Sequence, residues 1–170
     1  MRFLVSFVVR SKCNTNHQGE NIMKRLFILS VDDDMEDRML FEEALLSVSS
    51  QHLLFSEQDG DRLIHFLNNS HRKGEPMPNV IFLDLNMPVK NGKETLKIIK
   101  APDSVFRFIP VILFTTSASP VDIEECYRLG ANLFIVKPFT FEALTKIIRD
   151  LLQLFTNIIE LPPSMALLGR

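Results

Sequence analysis

Polar side chains of three chemical types follow short apolar runs in this sequence. The polar groups are Asp32, Asp33 and Asp34 after Leu26–Val31, Asp84 after Val80–Leu83, Thr115, Thr116 and Ser117 after Val111–Phe114, and Lys137 after Leu133–Val136. Short apolar runs bounded by polar residues are typical of buried strands. The sequence therefore predicts that carboxylates, hydroxyls and an amine lie directly after strands.

Carboxylates, a lysine and a hydroxyl together have the composition of a site for metal-assisted phosphoryl transfer. Clustered carboxylates repel one another unless a cation neutralises them, and magnesium suits a site with few protein ligands and several waters. An ionised Asp84 would attack phosphorus, while the metal and the Lys137 ammonium stabilise the transferred oxygens. The hydroxyl of Thr115 would donate a hydrogen bond to another of these oxygens.

Strands and helices alternate from Met23 onward. The predicted strands are Leu26–Val31, Leu53–Ser56, Val80–Leu83, Val111–Phe114 and Leu133–Val136. The predicted helices are Met35–Val48, Arg62–Leu67, Lys93–Lys100, Val121–Leu129 and Phe141–Phe155, with a polar loop over Asn68–Asn79. This alternation predicts an α/β fold with a parallel sheet covered on both faces. Ligands of such sheets bind beyond the carboxyl ends of the strands, so the polar groups should converge there.

Some polar residues near these strand ends have an ordinary structural interpretation. Asp34 precedes a helix and is interpreted as its N-cap instead of a metal ligand. Asp59 and Asp61 flank Gly60, where they suit the turn and the start of the next helix. Gly130 follows the fourth helix, where glycine tolerates the positive φ of a helix end.

The motifs at the strand ends resemble the receiver domain of bacterial two-component response regulators. They are Val31-Asp32-Asp33, Asp84-Leu85-Asn86-Met87-Pro88 with Asn91-Gly92, Thr115, Gly130-Ala131-Asn132 and Lys137-Pro138-Phe139, and the resemblance covers about Lys24 to Leu152. It implies a flavodoxin-like (βα)5 doubly wound sandwich, whose five-stranded parallel sheet has the order 2-1-3-4-5. It also implies a phosphorylation-dependent switch.

The resemblance assigns a role to each matching residue. Asp84 accepts a phosphoryl group from a histidine of a sensor histidine kinase or phosphotransfer protein. Asp33, Asp84 and the backbone carbonyl of Asn86 hold Mg²⁺, or Mn²⁺ in its place, and Asp32 acts through water. Thr115 and Lys137 contact the phosphoryl group.

The resemblance also implies how the switch is transmitted. The Lys137–Pro138 peptide bond is expected to be cis, which would aim Lys137 inward. Thr115 and Phe134 move together on phosphorylation and change the surface of the fourth helix, fifth strand and fifth helix. Receivers of this type often form homodimers through that surface.

A finer resemblance points to the single-domain regulators paired with phytochrome-type histidine kinases. It rests on Ile109-Pro110, Thr115-Thr116-Ser117 and Tyr127-Arg128-Leu129-Gly130-Ala131-Asn132. The same subgroup serves other kinases, so light sensing does not follow from it.

Length and charge limit the function classes. The chain has 170 residues, a net charge of −2 and no cluster of basic residues, which argues against nucleic-acid or membrane binding. The two cysteines, Cys13 and Cys126, match no metal spacing and favour a reducing, cytoplasmic location. We expect a non-essential extension over residues 1–22, a stand-alone receiver over 23–155 and a tail over 156–170 that is too short for an output domain.

Two alternatives from other classes stay open on the residues alone. A magnesium-dependent phosphatase of the haloacid dehalogenase type, which forms an aspartyl-phosphate, carries an Asp-x-Asp pattern after its first strand, and Asp32-Asp33-Asp34 contains that spacing. A substrate cap and a later acidic pair are missing, so a regulatory phosphoacceptor that is not an enzyme is favoured. A flavodoxin-like cofactor binder is weaker still, because no glycine- or hydroxyl-rich phosphate loop follows the first strand.

Overall fold

A five-stranded parallel sheet forms the centre of the protein. The computed structural model describes residues 25–88, 90–116 and 119–157, and the predicted extension over residues 1–22 lies outside them, as does most of the predicted tail. The strands are β1 (Phe27–Val31), β2 (Leu53–Glu57), β3 (Val80–Leu83), β4 (Val111–Thr115) and β5 (Leu133–Val136). Their order is β2-β1-β3-β4-β5, and every neighbouring pair is parallel. The predicted strand order is confirmed.

The three central strands explain why the polar residues are brought together. β1, β3 and β4 are almost continuously apolar and buried, as expected for strands covered on both faces. Val31 pairs with Leu83, and the Asp84 N–H donates to the Val31 carbonyl at 2.9 Å. The residues that follow these two strands, Asp32 and Asp84, therefore lie side by side at the carboxyl edge of the sheet.

Five helices cover the two faces of the sheet. They are α1 (Met35–Val48), α2 (Gly60–Lys73), α3 (Gly92–Ile99), α4 (Pro120–Arg128) and α5 (Phe141–Asn157). Residues of α1 and α5 pack into one apolar core cluster, and residues of α2, α3 and α4 pack into another. The predicted doubly wound architecture is confirmed. None of the helices in the described part of the chain combines the length and apolar character that crossing a bilayer requires.

The ends of the helices follow the predicted capping residues. The Asp34 side chain accepts the backbone N–H groups of Glu36 and Asp37 at the start of α1, and the Asp59 side chain accepts that of Arg62 in α2. Gly130 follows α4 with a φ of 98°. These interpretations are confirmed. The Asp34 cap fixes the start of α1, which comes shortly after Asp32 at the edge of the sheet.

The predicted end of α2 is wrong. The polar composition of Asn68–Asn79 predicted a loop, but α2 continues to Lys73 and ends at Gly74, whose φ is 65°. The reason is that this part of α2 has one buried side, where Leu67 and Ser70 lie, while its other residues face solvent. Three basic residues in the last turn, His71, Arg72 and Lys73, also suit the negative end of the helix dipole.

Candidate functional site

Three carboxylates converge at the carboxyl edge of the sheet. Each of Asp32, Asp33 and Asp84 offers a carboxylate oxygen, and these oxygens lie within 4.8 Å of one another. Asp32 and Asp84 are buried whereas Asp33 is exposed. The Asp84 Oδ1 atom accepts the Leu85 N–H at 2.7 Å, and the Asp32 Oδ1 atom accepts the Asp34 N–H at 3.0 Å. Both buried carboxylates are thus oriented by the backbone that follows them.

Lys137 brings a positive charge to this cluster from the end of β5. Its Nζ atom lies 2.6 Å from Asp32 Oδ2 and 3.8 Å from Asp84 Oδ2. Burial by itself lowers the pKa of Lys137, but the hydrogen bonds to Asp32 and Asp37 and the nearby negative charges outweigh burial, and the pKa is raised. The lysine therefore stays an ammonium, with its charge beside the Asp84 carboxylate.

Asp32 has an altered pKa for an electrostatic reason. Burial raises its pKa from the ordinary 3.8 to about 6, although the hydrogen bond and charge of Lys137 lower it, while the charge of Asp84 raises it further. The positive charge of one lysine therefore does not offset the electrostatic cost of burying these carboxylates together. A second cation would relieve the excess negative charge.

The donor set fits a hard divalent cation. All three clustered side chains present carboxylate oxygens, which magnesium and manganese accept. Two of the carboxylates are buried and the third faces solvent, so a bound ion would keep access to water on one side. Asp32, Asp33 and Asp84 could hold such an ion, while the predicted ligation by the Asn86 carbonyl stays a prediction.

The hydroxyl of Thr115 lies at the end of β4. Because β4 is the strand beside β3, this end of β4 is next to the carboxylate cluster. Thr115 is fully buried, and its Oγ1 atom accepts the Asn86 side-chain N–H at 3.5 Å. Asn86 belongs to the loop that follows Asp84, so this contact joins the ends of β3 and β4. Phe134 on β5 is partly buried and packs against the core cluster of α2, α3 and α4.

Gly92 allows the loop after β3 to close tightly on Asp84. The Gly92 N–H donates to the Leu85 carbonyl at 3.0 Å. A Cβ atom at this glycine would lie 2.2 Å from the backbone oxygen of Asp84, which is far inside van der Waals contact. The Asn91-Gly92 part of the motif therefore has a local steric cause, and Asn91 itself caps α3 by accepting the Glu94 N–H.

The predicted cis peptide bond is wrong. The described residues contain no cis peptide bond, so Lys137–Pro138 is trans. The trans form is the lower in energy even before proline. In this structure it already directs the Lys137 ammonium to Asp32, with the Lys137 N–H donating to the Thr115 carbonyl at 2.8 Å.

Two residues of the site were not predicted from the sequence. Asp37 accepts a hydrogen bond from the Lys137 ammonium at 2.6 Å. Arg38 donates to the backbone carbonyls of Asp32 and Asp33 at 2.6 and 2.9 Å, which fixes the loop that carries both carboxylates. Nothing in the sequence indicated Arg38, and the indication for Asp37 was its position in the first turn of α1, where an acidic residue is ordinarily explained by the helix dipole.

Comparisons with known proteins agree with this geometry. A family model described as the response regulator receiver domain matches residues 28–149. The response regulator Rcp1 of Synechocystis sp. is 33% identical over 138 residues, which cover 81% of this chain and 93% of that protein.

Solved structures extend the likeness to three dimensions. The crystal structure of the phosphorylated cyanobacterial phytochrome response regulator RcpA is 30% identical, with a TM-score of 0.74, and covers 82% of this chain and 100% of that chain. The crystal structure of the Mn²⁺-bound form of Rcp1 is 33% identical, with a TM-score of 0.70, and covers 81% of this chain and 99% of that chain.

Proposed function

Since the chain belongs to the family of response regulator receiver domains, which are phosphorylation-dependent signalling switches, we propose that Asp84 is its phosphoacceptor. One observation carries this assignment. Asp84 is a buried carboxylate at the end of a central strand, grouped with Asp32 and Asp33 and 3.8 Å from the Lys137 ammonium. The family match gives no support to the phosphatase alternative.

The residues of the site divide the work of phosphoryl transfer among them. A carboxylate oxygen of Asp84 forms the new bond to phosphorus, and the bond from phosphorus to the donor nitrogen breaks. The electron pair leaves with the imidazole of the donor histidine. Lys137, kept protonated by its carboxylate neighbours, donates to a phosphoryl oxygen, and Thr115 donates its hydroxyl to another. The protein therefore acts mainly by positioning and by electrostatic stabilisation.

A divalent cation completes the proposed site. Mg²⁺, held by Asp33, Asp84 and the Asn86 carbonyl, with Asp32 acting through water, would offset the negative charge of the carboxylates and of the transferred group. Two observations support the metal: the three clustered carboxylates and the manganese named for the solved structure of Rcp1. Burial of Asp32 has an electrostatic cost without such a cation, as its raised pKa indicates.

Phosphorylation is proposed to act on the surface of α4, β5 and α5. Thr115 moves toward the new phosphoryl group, and Phe134 repacks in the space beside β4. Val121, Tyr127 and Val136 are exposed apolar residues of α4 and β5, which suits a surface for a homodimer or another protein partner. A charge added at Asp84 would then bias which packing of this surface prevails.

The proposed partner upstream is a sensor histidine kinase or a histidine phosphotransfer protein in the cytoplasm. RcpA is named as a phytochrome response regulator, so a kinase of the phytochrome type is a first candidate. We propose that residues 23–155 form the receiver, with residues 1–22 a non-essential extension and 156–170 a tail. The protein would serve as a regulatory phosphoacceptor instead of an enzyme with small-molecule turnover.

Replacing the acceptor tests this function directly. Asp84→Asn should abolish hydroxylamine-sensitive labelling by acetyl phosphate or by a phosphorylated kinase, because an amide does not form the acyl phosphate. Asp103→Asn makes the same change of charge in the exposed loop before β4 and should label like the parent. Circular dichroism verifies that both variants are folded. Normal labelling of Asp84→Asn would overturn the assignment.

A further inference from the structure

The Lys137 ammonium is shared unequally among three carboxylates. Its Nζ atom lies 2.6 Å from Asp32 Oδ2, 2.6 Å from Asp37 Oδ2 and 3.8 Å from Asp84 Oδ2. An ammonium has three N–H donors, so two of the three are used within hydrogen-bond distance. The residue proposed to receive the phosphoryl group has only the longest of these contacts.

Asp37 differs from Asp32 in its relation to the proposed metal. The group of clustered carboxylates among the described residues comprises Asp32, Asp33 and Asp84 and does not include Asp37. A cation in that cluster would compete with Lys137 for Asp32 but would leave the contact with Asp37 in place. Asp37 is therefore the partner that Lys137 keeps when the site is loaded with metal.

The position of Asp37 is fixed by the start of α1. The Asp34 side chain accepts the Glu36 N–H at 2.7 Å and the Asp37 N–H at 3.4 Å, which sets where the helix begins. The Asp37 side chain is 35% exposed, compared with 7% for Asp32 and 9% for Asp84. Asp37 thus places a negative charge at the solvent side of the site, where an anionic phosphoryl donor arrives.

We propose that Asp37 is a positioning residue that restrains phosphorylation, because its carboxylate competes with the incoming phosphoryl group for the ammonium of Lys137. The proposal rests on the assignment of Asp84 as phosphoacceptor. In the reaction with acetyl phosphate, an Asp84 oxygen bonds to phosphorus, the bond from phosphorus to the acetate oxygen breaks, and acetate leaves with the electron pair. Lys137 keeps its proton throughout, and its Nζ atom, which lies 2.6 Å from Asp37 Oδ2, must shift towards the phosphoryl group to donate to one of its oxygens.

Neutralising Asp37 should therefore make phosphorylation faster. Asp37→Asn should raise the second-order rate constant for acetyl phosphate, and the affinity for the phosphoryl analogue beryllofluoride, by about five-fold, the upper range for a partly exposed ion pair. Both are measured with an attached fluorescent dye in saturating magnesium, because the chain has no tryptophan. An unchanged or lower rate constant in Asp37→Asn would overturn the proposal, since the lysine would then not be restrained by Asp37.

A variant of a neighbouring acidic residue distinguishes the specific contact between Asp37 and Lys137 from the general effect of removing a negative charge. Glu36→Gln removes one negative charge from the same helical turn, where Glu36 is exposed and has no ion pair within the described residues. It should change the rate constant far less than Asp37→Asn does. Equal acceleration in the two variants would mean that Asp37 acts only by long-range repulsion, which contradicts the proposal.

A double-mutant cycle tests whether the effect passes through the lysine. In a Lys137→Ala background, Asp37→Asn should no longer raise the affinity for beryllofluoride, whereas a persistent gain would contradict a competition for Lys137. Asp84→Asn is measured in parallel. If labelling survives without Asp84, the proposed function fails; if labelling depends on Asp84 but not on Asp37, only the present inference fails.

Discussion

Lowering the pH from about 7 to about 5 should weaken magnesium binding, because it protonates Asp32. The Asp32 side chain is 7% exposed, and burial is the main reason that its pKa rises to about 6. Protonation removes one negative charge from a cluster whose carboxylate oxygens lie within 4.8 Å of one another. A metal ion and a proton therefore compete for the same site.

The expected size follows from this pKa. With a pKa of about 6, Asp32 is about nine-tenths ionised at pH about 7 and about one-tenth ionised at pH about 5. If magnesium binds only the ionised form, its apparent dissociation constant rises about ten-fold, which corresponds to about 1.4 kcal/mol.

The stability of the metal-free protein should change in the opposite direction. The pKa of Asp32 is higher in the folded state than its ordinary value of 3.8, so the folded state binds the proton more tightly than the unfolded state does. The contribution of Asp32 to the free energy of unfolding therefore becomes more favourable as the pH falls from about 6 towards 3.8. The full difference between the two pKa values corresponds to about 3 kcal/mol.

Calorimetric titration with magnesium chloride at several pH values measures the first effect, and urea unfolding of the metal-free protein at the same pH values measures the second. Asp32→Asn is the matched control, because it keeps the size of the side chain but has no proton to bind in this range. Its magnesium affinity should be nearly independent of pH. A dissociation constant for the parent that changes by less than about two-fold would refute the reasoning, as would a ten-fold change that persists in Asp32→Asn.

Two further predictions concern the switch and the loop that holds the acceptor. Thr115→Ala and Phe134→Ala should each still accept phosphate at Asp84, because neither residue supplies the nucleophile, but both should weaken the phosphorylation-dependent change in dimerisation, measured by sedimentation. If both variants respond like the parent, these two residues only pack. Gly92→Ala should destabilise the protein by about 1–3 kcal/mol in urea unfolding and slow phosphorylation, because the added Cβ would lie 2.2 Å from the Asp84 carbonyl oxygen. An unchanged rate with unchanged stability would contradict that steric account.

The sequence by itself determined the alternation of elements and the place of the principal site residues. Short apolar runs that alternate with amphipathic helices are typical of central strands, so Asp32 and Asp84, which follow two such runs, were expected at one edge of a parallel sheet. The capping role of Asp34 was equally predictable, because an N-cap depends on the backbone of the next few residues. The helix cap depends on the local sequence, and the strands follow from the spacing and burial of apolar residues.

Only the tertiary structure decided the contacts between distant segments. Lys137 meets Asp37 across 100 residues of sequence, and nothing in either local pattern predicts that distance. The pKa of Asp32 depends on burial and on Lys137 and Asp84 together, which is a property of the assembled site. Local composition predicted too short a helix α2. The resemblance predicted a cis Lys137–Pro138 bond, but the bond is trans. The contacts of Lys137 and the pKa of Asp32 depend on packing and on the balance of charges, which sequence spacing does not specify.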